Sequence, residues 1–73
     1  MLNEKILVGD RIVDEEGFTY DVVAASESEI VAKTDYGRDP LPGEYEFVIF
    51  SNTSGVWADR DQPEPQVKIV EIF

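Results

Sequence analysis

The chain contains neither cysteine nor histidine. The first absence excludes a disulfide, a thiolate zinc site and a thiol nucleophile, and the second removes the usual general base and the commonest neutral metal ligand. Basic residues are scarce as well: six Lys and Arg stand against sixteen Asp and Glu, a net charge of −10 on 73 residues. Such a field repels nucleic acid and anionic lipid and attracts cationic surfaces. Long apolar runs are missing too. After Met1-Leu2-Asn3-Glu4-Lys5, only Ile6-Leu7-Val8 precede Gly9-Asp10, which is too short for a signal peptide or a membrane span. The expectation is a cytoplasmic protein with no membrane contact, no cofactor and no metal.

The residues that are present favour a folded β protein. Apolar residues make up 42% of the chain, ordinary for a globular domain, so the acidity does not imply disorder. A chain of this length forms one domain, 1–73, near the lower size limit for an unstapled core. Ile6–Val8, Arg11–Val13, Phe18–Ala25, Glu29–Thr34, Glu44–Phe50 and Val67–Phe73 are apolar-rich runs, with the β-branched and aromatic residues of strands, and Ser51–Gly55 reads as a turn leading to Val56-Trp57-Ala58. Phe18, Tyr20, Val22 and Ala24 alternate with Thr19, Asp21 and Val23, and Tyr45, Phe47 and Ile49 alternate with Glu44 and Glu46. The predicted core is Ile12, Phe18, Tyr20, Val22, Ile30, Phe47, Ile49 and Ile69.

Turn residues separate these runs. Asp14-Glu15-Glu16-Gly17 reads as a hairpin loop whose glycine takes a positive φ, and Ser26-Glu27-Ser28 as a second tight connection. Two prolines and two glycines in Asp35–Gly43 make that stretch a long loop. Asp59-Arg60-Asp61-Gln62-Pro63-Glu64-Pro65 is an acidic, proline-stiffened link into the last strand. The fold class is mainly β: a small antiparallel barrel or curled sheet of five to six short strands, curled to protect its edges.

No enzyme chemistry is visible. The serines at 26, 28, 51 and 54 have no histidine to activate them, and Lys5, Lys33 and Lys68 are isolated. Asp14–Gly17 lacks the alternating ligands and distal glutamate of a calcium loop. No glycine-rich loop opens a helix to hold phosphate.

The carboxylates carry the functional signal. Asp14/Glu16, Glu27/Glu29, Glu44/Glu46 and Asp59/Asp61 are spaced two apart, which on an extended backbone puts both on one side about 6.8 Å apart. Each pair repels by only about 0.6 kcal/mol in water, so several together form a tolerable negative patch. Asp14, Glu15, Glu16, Glu44, Glu46, Asp59 and Asp61 are the candidate docking carboxylates. Trp57 is either a core residue or an interface anchor, and Tyr36, Arg38 and Arg60 join it as candidate contacts because aromatic and arginine side chains dominate binding hot spots. The binding alternatives are docking on a basic surface of a nucleic-acid machine, imitation of a nucleic-acid backbone, and an aromatic cage in which Tyr36 or Trp57 beside a carboxylate receives a methylated cation.

Leu7-Val8-Gly9-Asp10-Arg11-Ile12-Val13, Gly17-Phe18-Thr19-Tyr20-Asp21-Val22-Val23 and Glu29-Ile30-Val31-Ala32 resemble the opening of SH3-like barrels in transcription-associated and chromatin-associated proteins. In length, acidity and freedom from cysteine and histidine, the whole chain resembles the small RNA polymerase-binding regulators of lytic Xanthomonas bacteriophages. The net charge disfavours pairing of edge strands between copies, so a monomer is expected, and the resemblance places it in the host bacterial cytoplasm. It would bind the N-terminal region of the polymerase β′ subunit, displace σ factor to inhibit initiation and act with NusA as an antiterminator, without touching nucleic acid directly.

Overall fold

The computed structural model describes residues 5–53, 55–61 and 67–73. They form six antiparallel strands: β1 (Arg11–Asp14), β2 (Thr19–Ala25), β3 (Glu29–Asp35), β4 (Phe47–Thr53), β5 (Val56–Asp59) and β6 (Ile69–Ile72). The sheet order is β5-β4-β3-β2-β1-β6. An isolated bridge, Ala58↔Lys68, and the Asp59 N–H donating to the Val67 carbonyl at 2.9 Å bring the two ends of the sheet together. The result is a nearly closed small barrel, in agreement with the predicted fold class. Among the described residues no helix is long and apolar enough to cross a membrane.

The hairpins follow the turn chemistry. Gly17 has φ +93° and donates its N–H to the Asp14 carbonyl at 3.0 Å, a conformation that only glycine adopts without strain. Ser26 closes the β2–β3 turn: its backbone N–H donates to the Glu29 carbonyl, and its Oγ accepts from the Glu29 N–H at 3.1 Å. Ile6–Val8, expected as a strand, instead runs into a turn at Val8-Gly9, with Ile6 buried in the core. The strand expected from Glu44 begins only at Phe47, and the link through 62–66 lies outside the described residues.

Ile6, Ile12, Tyr20, Val22, Ile30, Ala32, Phe50, Trp57 and Ile69 form the core, with Val48 and Ile72 packed against it. Tyr20 meets Phe50 edge to face, centroids 5.2 Å apart, a geometry that matches ring edge to ring face electrostatically. The predicted core needs correction in β2 and β4. Phe18 precedes β2 and is half exposed; in β4 the inward residues are Val48 and Phe50, so Phe47 faces solvent and Ile49 is only partly covered. The run Phe47-Val48-Ile49-Phe50 is apolar at both parities. Burial of the larger Phe50 decides which one faces in, and a shift of one residue exchanges the faces of a strand.

Candidate functional site: an acidic, aromatic face

Strand parity carries polar groups into one end of the barrel. Asp14 shares the face of Ile12, Thr34 that of Ile30 and Ala32, and Asp59 that of Trp57, and all three polar side chains are buried. Tyr20 pairs across the sheet with Thr34. A register irregularity between Val13 and Asp14 shifts the β1–β6 pairing, so that Asp14 faces Ile69.

The Asp14 carboxylate organises this end. Its Oδ1 accepts the N–H groups of Glu16 at 2.9 Å and Phe18 at 3.0 Å, and its Oδ2 accepts the Tyr20 hydroxyl at 2.6 Å. Burial, and then the hydrogen bond to Asp14, push the Tyr20 hydroxyl far above the ordinary tyrosine range. Tyr20 therefore stays protonated when tyrosines of the unfolded chain begin to ionise near pH 10. Its stabilising contribution is complete below that pH and declines as the pH rises further.

The paired carboxylates differ from the expected pattern. Asp14 bonds the N–H of Glu16, and Asp59 that of Asp61 at 2.9 Å. Both are Asx turns, in which the first carboxylate bends back onto its own backbone. Glu44 and Glu46 precede β4, and Glu27 precedes β3. None of the four pairs has both members on a strand, and in two of them the first carboxylate is turned back onto its own backbone. Direct docking through Asp14 is also corrected, because its side chain is only 2% exposed and its oxygens are engaged. Trp57 is a core residue and not an accessible anchor.

Each arginine is matched to carboxylates of the same chain. Arg11 bridges Asp21 and Asp35, and Arg60 reaches Glu29 at 3.0 Å and Asp61 at 3.6 Å. Arg38 forks onto Glu44, with Nη1 and Nη2 donating to Oε1 and Oε2 at 2.6 and 2.9 Å, and its guanidinium lies 5.2 Å from the Tyr36 ring centroid. Leu41 N–H also donates to Glu44 Oε1 at 2.7 Å. Arg38 thus fastens its own loop. The fork and, after it, the Leu41 bond hold the Glu44 carboxyl down at about 2, against an ordinary value of 4.5. The clasp is fully formed above the ordinary value and is lost as the pH falls through about 2. Carbon-detected NMR titration should place the Glu44 midpoint near 2, and Arg38→Ala should raise it toward the ordinary value; a wild-type midpoint near 4.5 would disprove the clasp.

Two concavities adjoin on the surface over the polar end. The first encloses about 160 Å³ and is lined by Asp14, Glu16, Phe18, Tyr20, Thr34, Tyr36, Tyr45, Val48, Asp59 and Val67. The second shares Tyr45, Val48 and Asp59 with it and adds Phe47 and Asp61. Tyr36 donates its hydroxyl to the Tyr45 carbonyl at 2.9 Å, tying the loop to this face. Glu16, Glu46 and Asp61 are exposed here or nearby, together with Phe18, Tyr45 and Phe47, of which Tyr45 is 72% exposed. Glu15 is exposed in the adjoining hairpin. Sequence reasoning missed Phe18, Tyr45 and Phe47 as surface groups and Thr34 altogether. Parity from Trp57 and Ile12 was the signal available for Asp59 and Asp14.

Among the described residues, no three carboxylates are placed to hold a metal ion. No family model, curated protein or solved structure matches the chain.

Proposed function

We propose that this protein is a non-enzymatic transcription regulator that docks through its acidic, aromatic face on a basic surface of bacterial RNA polymerase. The docking region is the N-terminal part of the β′ subunit; binding displaces σ factor, inhibits initiation and, with NusA, favours readthrough of terminators in the host cytoplasm. The polymerase as partner comes from the resemblance of the whole chain to phage regulators. The observation that supports docking is the gathering of carboxylates and half-exposed or more exposed rings on one face: Phe18, Tyr45 and Phe47 beside Glu16, which has no ion pair, and Asp61, whose partner is the exposed Arg60 at 3.6 Å. Charge accelerates the encounter, while desolvated rings set the residence time. Imitation of a nucleic-acid backbone draws less support, since two of the four carboxylate pairs begin with an aspartate bonded to its own backbone.

Tagged protein is expected to retain bacterial core polymerase, reduce promoter-dependent initiation and raise terminator readthrough. Tyr45→Ala and Phe47→Ala should each weaken polymerase binding by more than about 1 kcal/mol with the fold intact. Capture abolished by duplex DNA, with no effect on termination, would overturn the docking reading in favour of mimicry.

A further inference from the structure

We propose that the 160 Å³ cavity over the polar end of the barrel receives the cationic end of a partner's lysine or arginine side chain. The proposal rests on the docking reading and specifies its central contact. Asp14, Glu16 and Asp59 all line the cavity, whereas no lysine or arginine does. All the ion pairs among the described residues lie elsewhere, on Asp21, Asp35, Glu44, Glu29 and Asp61. The cavity is therefore a concentration of negative charge without a counter-charge from its own walls.

A second observation, independent of charge, points to a missing donor. Thr34 Oγ1 has no hydrogen-bond partner, its residue is only 8% exposed, and Thr34 lies in the wall between this cavity and a neighbouring concavity lined by Lys33, Arg38 and Glu46. A buried hydroxyl without a partner is costly, and an ammonium or guanidinium N–H supplies the missing bond. The walls fit the rest of such a side chain. Phe18, Tyr36 and Tyr45 offer rings, whose faces attract cations, and Val48 and Val67 offer apolar surface for an alkyl stem. An anion would be repelled, a neutral group would leave the carboxylates uncompensated, and the carboxylates are not grouped as metal ligands. An organic cation on a short aliphatic stem satisfies each of these conditions.

The test is an amide-detected NMR titration of the full chain with butylammonium and, separately, butylguanidinium, using butanol at matched salt as the neutral control. Saturable shifts centred on Thr34, Tyr36, Tyr45 and Asp59 are expected from at least one cation and not from butanol; the stronger of the two identifies lysine or arginine as the occupant. Asp59→Asn removes one charge yet keeps an acceptor for the Asp61 N–H, and should weaken cation binding about tenfold. Tyr45→Ala should weaken it roughly threefold, and Glu27→Gln, away from the cavity, should leave it unchanged. Non-saturating shifts spread over all exposed carboxylates, an equal response to butanol, or undiminished binding by both cavity variants would overturn the proposal. Cation binding without polymerase capture supports the cavity while refuting the polymerase reading. Polymerase capture that neither variant weakens refutes the cavity while leaving docking intact.

Discussion

Asp14→Ala is expected to lower the stability of the protein by about 2–4 kcal/mol, a large part of what an unstapled domain of this size possesses. The buried carboxylate accepts three hydrogen bonds, from two backbone N–H groups and the Tyr20 hydroxyl. Removing it leaves three donors without their partner, each costing about 1–3 kcal/mol where water cannot replace it. Relief of a buried charge offsets part of this cost. The donors dominate, because the two in the β1–β2 hairpin fix the loop and the third belongs to a core aromatic. Asp14→Asn retains one carbonyl acceptor and should cost less. Urea denaturation followed by the fluorescence of Trp57, the single tryptophan, measures both. A loss below about 1 kcal/mol for Asp14→Ala would show that the carboxylate does not organise the hairpin.

Two phenylalanines of β4 should behave in opposite ways. Phe50 is fully buried and packs on Tyr20, so Phe50→Ala removes a ring from a closed core and should cost about 3–5 kcal/mol. Phe47 is 48% exposed on the other face, so Phe47→Ala should change stability by less than about 1 kcal/mol while weakening docking. Equal destabilisation by the two substitutions, read from the same denaturation curves, would refute the register of β4.

The turns of this fold were legible because their residues have few alternatives. Gly17 at a positive φ and Ser26 bonded to Glu29 do what their side chains, or the lack of one, permit. The inward side was legible for Ile12 in β1 and for Tyr20 and Val22 in β2, where Thr19 and Asp21 alternate with them, but not for Asp14, which shares the buried side of Ile12. They were illegible in β4, where an unbroken apolar run allows both parities. The acidic pairs misled for a related reason: spacing by two means a shared face only on an extended chain, and an aspartate at a strand end can instead bond the second following N–H. Asp14 and Asp59 therefore turned out buried, whereas Tyr45 and Phe47 remained outside. The face formed by these residues depends on packing between distant segments, which local patterning does not encode.

The order β5-β4-β3-β2-β1-β6 also has a kinetic meaning. From β1 to β5 each strand pairs with its neighbour in sequence, and all the closing loops except the long β3–β4 connection are short, so their entropic cost is low. Only β6 must cross the whole meander to find β1. Until it arrives, β1 presents an open row of backbone donors and acceptors, and the two sides of the seam at Ala58 and Lys68 remain apart. The meander can therefore assemble through neighbouring pairings, but the barrel closes only when β6 reaches β1.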